Sequence, residues 1–150
     1  MNKSLALAGA LFACSHLAAA ADGVISVPSA HSVKDTADRL DAALQKKGMK
    51  VFLRVDHAAG AASVGKTLRP TELLVFGNPK VGAPLMLCAQ SIGIDLPQKA
   101  LISQDADGRV WFSYNDPDYL QQRHHIDGCD PVLAKLRGAL ENFAKAATSP

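Results

Sequence analysis

An imidazole that ends one apolar run and a carboxylate that opens another are the first groups in this chain that invite chemistry. Met49, Val51, Leu53, Val55 and His57 alternate with Lys50, Phe52, Arg54 and Asp56. A period of two predicts a half-buried strand with His57 on its apolar side. In a semi-buried cleft there, the ring would exchange a proton near neutral pH. Glu72, one of two Glu residues with Glu141, opens the run Thr71–Gly77. If the two strands are neighbours, Glu72 reaches His57 and makes a general acid/base pair. The structural alternatives are a histidine held by a backbone carbonyl and a rim ion pair from Glu72 to Arg54 or Arg69.

Other groups point to weaker chemistry. His124, His125 and Cys129 are an alternative metal-ligand set, but consecutive residues seldom converge and no second Cys/His pair has zinc spacing. Asp105-Ala106-Asp107-Gly108 begins like a calcium loop and lacks its later acids; between two strands it reads as a hairpin turn. Gly77-Asn78-Pro79-Lys80-Val81-Gly82 lacks the ending of a phosphate loop and reads as a turn, with Asn78 bonding its own backbone. Ser63 and Ser91 have no nucleophile-elbow context. Without a C-x-x-C motif, Cys88 and Cys129 are candidates for a disulfide if the chain meets an oxidising compartment. No cofactor motif is present.

The elements that must position these groups follow from periodicity. Val24–Val27 is a short strand. Ser32 caps a helix with Asp35 at its third position, Val33, Ala37, Leu40 and Leu44 make its apolar stripe, and Gly48 ends it. The strand ending at His57 gives way to a small-residue loop or helical turn over 58–62. Thr71–Gly77 is apolar on both faces and reads as a central strand. Pro84 is placed to open a short helix, and Lys99–Gln104 and Arg109–Tyr114 form the hairpin. Asp130-Pro131 starts a last helix with Leu133, Leu136, Leu140, Phe143 and Ala147 on one side. The expected class is α+β: a mixed sheet with helices packed on one face, in the order β-α-β-β-α-β-β-α, as a single domain over 21–147 with a frayed tail at 148–150.

The first 20 residues are different material. Lys3 precedes an uncharged stretch, and Ala18 and Ala20 form an A-x-A site, which predicts a secretory leader cut after Ala20. The alternative is lipidation at Cys14, in Leu11-Phe12-Ala13-Cys14, which would leave the protein anchored. The expected location is therefore periplasmic or secreted, with no membrane attachment once the leader is cut. The 150-residue chain carries 16 basic and 14 acidic residues. That near-neutrality argues against a nucleic-acid partner.

Val55-Asp56-His57-Ala58-Ala59, Leu68-Arg69-Pro70-Thr71-Glu72-Leu73-Leu74-Val75-Phe76-Gly77-Asn78-Pro79, Gly82-Ala83-Pro84-Leu85-Met86 and Asp95-Leu96-Pro97 together resemble the domain of unknown function 302 family. Asp107-Gly108 with Val110, and Tyr114-Asn115-Asp116-Pro117, extend the resemblance over about Gly23 to Ala146. The resemblance implies a small α/β sandwich that forms homodimers, without an established activity. It maps family positions onto His57, Glu72, Asn78 and Tyr114; Cys88 and Cys129 lie outside its motifs.

The sequence is thus read as an exported homodimeric domain that binds a small ligand or partner in a cleft near His57, Glu72, Asn78 and Tyr114. The rival readings are a hydrolase- or isomerase-like enzyme using His57 with Glu72, and a metal-binding protein using His57 or His124, His125 and Cys129.

Overall fold

The computed structural model describes residues 21–150, so the predicted leader and Cys14 lie outside the described residues. Its elements are β1 (Val24–Ser29), α1 (Val33–Lys46), β2 (Lys50–Asp56), α2 (His57–Ser63), β3 (Thr71–Gly77), α3 (Pro79–Cys88), a 3₁₀ turn (Gln90–Ile94), β4 (Gln98–Gln104), β5 (Val110–Asn115), α4 (Pro117–Arg123) and α5 (Asp130–Thr148). The predicted order is present, with α2, the 3₁₀ turn and α4 added. The α+β class stands.

The five strands run β1-β5-β4-β3-β2. Every neighbouring pair is antiparallel, where a mixed sheet was expected. The connections explain this. No helix returns the chain to a strand lying parallel beside the one it left. Instead α1 crosses from one edge strand to the other, and each later link turns the chain back.

Local chemistry sets the helix ends. Ser32 accepts from the Asp35 amide at 3.1 Å and donates to its carboxylate at 2.7 Å. Asp56 caps α2 by accepting from the Ala59 amide at 2.9 Å, and Asn78 caps α3 by accepting from the Lys80 amide at 2.9 Å. The helix expected to open at Pro84 therefore opens one turn earlier at Pro79, and Pro84 lies inside it. Asp116 with Pro117 starts α4 by the same cap-then-proline signal, which the sequence reading passed over.

Helices α1 and α5 lie on one face of the sheet. Leu40 and Leu44 of α1, Leu133 and Ala147 of α5, and Leu74, Ile102 and Phe112 of the sheet are essentially inaccessible to solvent. Each buried Leu or Phe of this kind contributes about 1.5–3 kcal/mol. The end of α5 is not frayed. Thr148 is buried, the Ala30 amide donates to its carbonyl, and Arg39 and His31 bond the carbonyl of Ser149. Just before β1, Gly23, with φ +75°, lies so close under the Tyr119 ring that a Cβ would overlap it.

The register of β2 shifts at a bulge between Val51 and Leu53. Val51 pairs with buried Phe76, whereas Leu53 pairs with Val75 on the opposite face. The expected shared face of Val51, Leu53, Val55 and His57 is thus broken. The extra residue, Phe52, moves Leu53 and Val55 to the sheet face away from the helices and turns Arg54 toward Asp38 of α1. That outer face carries Leu53, Leu73, Val75, Leu101 and Trp111, with no acidic side chain at its paired positions. A disulfide joins Cys88 at the end of α3 to Cys129 at the start of α5, with Cα atoms 6.3 Å apart.

Candidate functional site

The residues first singled out do not converge. His57 leaves the strand and becomes the first residue of α2. Its side chain is exposed and makes no hydrogen bond among the described residues. Strands β2 and β3 are neighbours, with Asp56 opposite Glu72. Yet the Glu72 carboxylate is taken by Arg54, whose Nε donates at 2.6 Å, while Arg54 Nη1 donates to Asp38 at 2.5 Å. Glu72 lifts the Arg54 guanidinium above its ordinary value, against the effect of burial, and Asp38 adds to the lift. Lys34 and then Arg54 hold the Asp38 carboxyl below its ordinary value. This end of the sheet is a closed set of ion pairs, and the acid/base pair and its cleft are corrected to that. Tyr114 is also relocated. It is 5% exposed, packs edge-on against Phe112 and belongs to the core, where burial raises its phenol pKa.

The alternative metal set does not assemble either. Cys129 is in the disulfide. The His124 side chain is 5% exposed, and both ring nitrogens are engaged, Nδ1 with Ser91 Oγ at 3.0 Å and Nε2 with Asp95 Oδ2 at 2.6 Å. Arg123 donates to the second Asp95 oxygen at 3.1 Å. These bonds and the disulfide clasp the 3₁₀ turn to the segment between α4 and α5. Among the described residues no group of three His, Cys, Asp or Glu side chains could hold a metal ion. Asp105 likewise serves its turn, accepting from the amides of Asp107 and Arg109 and from the Trp111 indole, each at 2.9 Å.

A hollow lies at the opposite end of the sheet. It has a volume of about 840 Å³, is bordered by α1, α3, α5 and the neighbouring ends of β2, β3 and β4, and opens to solvent on one side. Its walls are mostly apolar. Phe76 and Phe143, whose rings meet edge-on with centroids 6.1 Å apart, and Leu85, Leu136 and Leu140 line it. Phe52, the bulged residue, stands at its edge, where Gly77 makes room: a Cβ at Gly77 would meet the Phe52 ring at 3.3 Å. Lys46 and Lys47 lie at the rim, exposed.

Two amides illustrate what the hollow presents. Asn78 lines it, alone among the four predicted site residues, but its amide is committed: Nδ2 donates to the Gly48 carbonyl and Oδ1 accepts from the Lys80 amide, both at 2.9 Å. Gln98 also lines it, 5% exposed, and among the described residues neither its Nε2 nor its Oε1 has a hydrogen-bond partner. A buried polar group left unpaired costs about 1–3 kcal/mol, and native proteins seldom leave one so. Both amide atoms are themselves essentially inaccessible, so the cost falls on the packing of the wall. The sequence reading missed Gln98 because it started the strand at Lys99. Extending the strand by one residue puts Gln98 on the inward face with Ala100 and Ile102, a polar residue where the period demands an apolar one.

The fold and hollow together define a small α+β domain with one bare sheet face and a lined cavity under its helices. The chain belongs to the family described as "Domain of unknown function DUF302", which it matches over residues 25–143. It is similar to the structure described as "Crystal structure of uncharacterized conserved protein DUF302 from Bacillus stearothermophilus", with a TM-score of 0.75 at 19% identity, covering 85% of this chain and 99% of that one. That likeness concerns the fold. The chain is also 49% identical over 113 residues to "Fluoride-specific ion channel FluC 1" of Brucella suis, covering 75% of this chain and 44% of that protein. "Fluoride-specific ion channel FluC 2" of Brucella melitensis matches at 49% over 113 residues, covering 42% of its length. The matched segment thus spans less than half of these curated relatives.

Proposed function

We propose that this protein is an exported homodimeric domain that takes up a small, largely apolar molecule in the hollow between α1, α3 and α5. The observation that carries the reading is the hollow itself, about 840 Å³ in volume and walled mostly by apolar side chains, Phe76, Leu85 and Phe143 among them. That volume lies within the range typical of small-molecule sites, about 300–1,000 Å³. The Cys88–Cys129 disulfide supports export, because such a bond persists in oxidising compartments. The acid-free outer sheet face, with Leu53 54% exposed, supports self-association through that face. Fluoride conduction belongs to the name of the Brucella proteins. The shared segment is the α+β domain, and among the described residues no helix is long and apolar enough to cross a membrane.

The test uses N-phenyl-1-naphthylamine, a neutral apolar dye that brightens on leaving water. Titration with the mature protein gives saturable enhancement, and Ala139→Trp, which fills the hollow from α5, reduces the dye's affinity at least tenfold. Absent enhancement, or enhancement indifferent to that substitution, refutes the cavity reading. Sedimentation of the same sample gives the mass of two chains.

A further inference from the structure

From the one-signed charge of the hollow's rim we infer the chemical class of its occupant: a single-chain amphiphile of the fatty-acid type, with its apolar chain inside and its carboxylate at the rim beside Lys46 and Lys47. This rests on the cavity reading and narrows it. Among the described residues that border the hollow, the charged ones are Lys46 and Lys47, and no Asp or Glu joins them. Both lysines are exposed, and among the described residues neither is in an ion pair. Lys34, at the other end of the same helix, meets Asp38. Net charge does not create this imbalance, because the chain carries 16 basic and 14 acidic residues. The positive character belongs to the rim.

The wall sorts the two ends of such a ligand. Phe76 and Leu85 are at most 1% exposed and line the hollow, so its depth accepts hydrocarbon. A carboxylate carried there would lose its hydration; at the rim it keeps water on one side and gains an ammonium on the other. The rim itself is two-sided. Helix α3 brings Val81 and Met86, both exposed apolar side chains, and α1 brings the two lysines. Asn142 of α5, also exposed, adds an amide donor. The flexible four-carbon stem of each lysine lets its ammonium follow the head while the stem packs on apolar surface. Their place in the last turn of α1 also suits both lysines to the helix dipole. That role is indifferent to what fills the hollow, so the discriminating readout is the sign of the ligand's head. Exposed ion pairs are weak and screened by salt. Burial of the chain therefore supplies the affinity, and the lysines supply the choice of head.

The probes are decanoate and decylammonium, which share one chain and differ in the sign of the head. Affinities are measured by calorimetry on the mature protein at neutral pH and low ionic strength, where exposed charges are least screened. Decanoate binds about fivefold more tightly than decylammonium, in keeping with two exposed ion pairs. Lys46→Gln combined with Lys47→Gln erases that preference, while the neutral dye N-phenyl-1-naphthylamine keeps its affinity. Lys34→Gln combined with Lys66→Gln removes the same charge at the start of α1 and beyond α2, away from the hollow, and leaves the preference standing. Ala139→Trp weakens decanoate as it weakens the dye. Equal or reversed affinities for the two heads overturn the inference. So does a preference that survives without Lys46 and Lys47, one lost equally without Lys34 and Lys66, or decanoate binding indifferent to Ala139→Trp. If the dye binds and is weakened by Ala139→Trp while the two heads bind alike, the ligand class fails and the cavity stands. If the dye does not bind, both fail.

Discussion

The two ends of the sheet treat their polar residues in opposite ways. Where β2 meets α2, Arg54 is shared between Glu72 and Asp38, and Asp56 is used as a helix cap. Where β4 begins, the Gln98 side chain is more deeply buried than any of these and among the described residues has no hydrogen-bond partner. Residue type gives the reverse impression: His and Glu suggest chemistry, and Gln suggests solvent. Partnership decides. Groups whose bonding capacity is filled from within hold the fold, and a desolvated group left open costs stability.

The contrast is sharpened most by the disulfide, which ties the α3 wall of the hollow to α5. In the chain-entropy account, replacing both Cys88 and Cys129 with Ser, which opens a 41-residue separation, costs about 4 kcal/mol. Urea unfolding measures this, and the polar end should keep its packing longest as the wall loosens. A smaller effect of opposite sign comes from Gln98→Leu. It removes an unpaired amide and raises the stability of the ligand-free protein by about 1–3 kcal/mol; a loss instead would show that the amide is satisfied and would dissolve the distinction between the two ends.

At the paired end, Glu72→Gln leaves Arg54 bonded to Asp38 and costs about 0.5–1 kcal/mol, lessened by salt because the pair is partly exposed. His57→Ala changes stability by less than about 0.5 kcal/mol and leaves dye binding unaltered. A large loss of binding would return the site to that end. The smallest effect is a titration in the turn that joins β4 to β5 at that same end of the sheet. The indole of Trp111, the sole tryptophan, followed by the amides of Arg109 and Asp107, holds the Asp105 carboxyl below its ordinary value. A carboxyl depressed in the folded state stabilises fully above its unfolded pKa, about 4, and that contribution is lost as pH falls through the lower folded value. Trp111 fluorescence should therefore be flat from about pH 8 to 5 and change only below about pH 4, and Asp105→Asn should abolish the change.

Much of the architecture was legible because it rests on local rules. The stripes of α1 and α5, the Ser32 cap and the 105–108 turn follow from spacing and side-chain chemistry, and each stands where expected. The errors share one cause, which is that a single residue can reverse a face. The bulge at Phe52 undid the alternation that placed His57, and the cap at Asp56 drew His57 into a helix. Sheet direction depends on how crossovers pair distant strands, which no short window reveals. Gln98 was readable in principle as a polar intruder in an inward period, but its lack of partners is a property of three dimensions.

Gly77 carries one more consequence. Its missing methyl group lets the Phe52 ring rest against the backbone beside Pro97. A side chain at position 77 would crowd the Phe52 ring at the rim of the hollow, so the bareness of that one residue keeps the rim in its present shape.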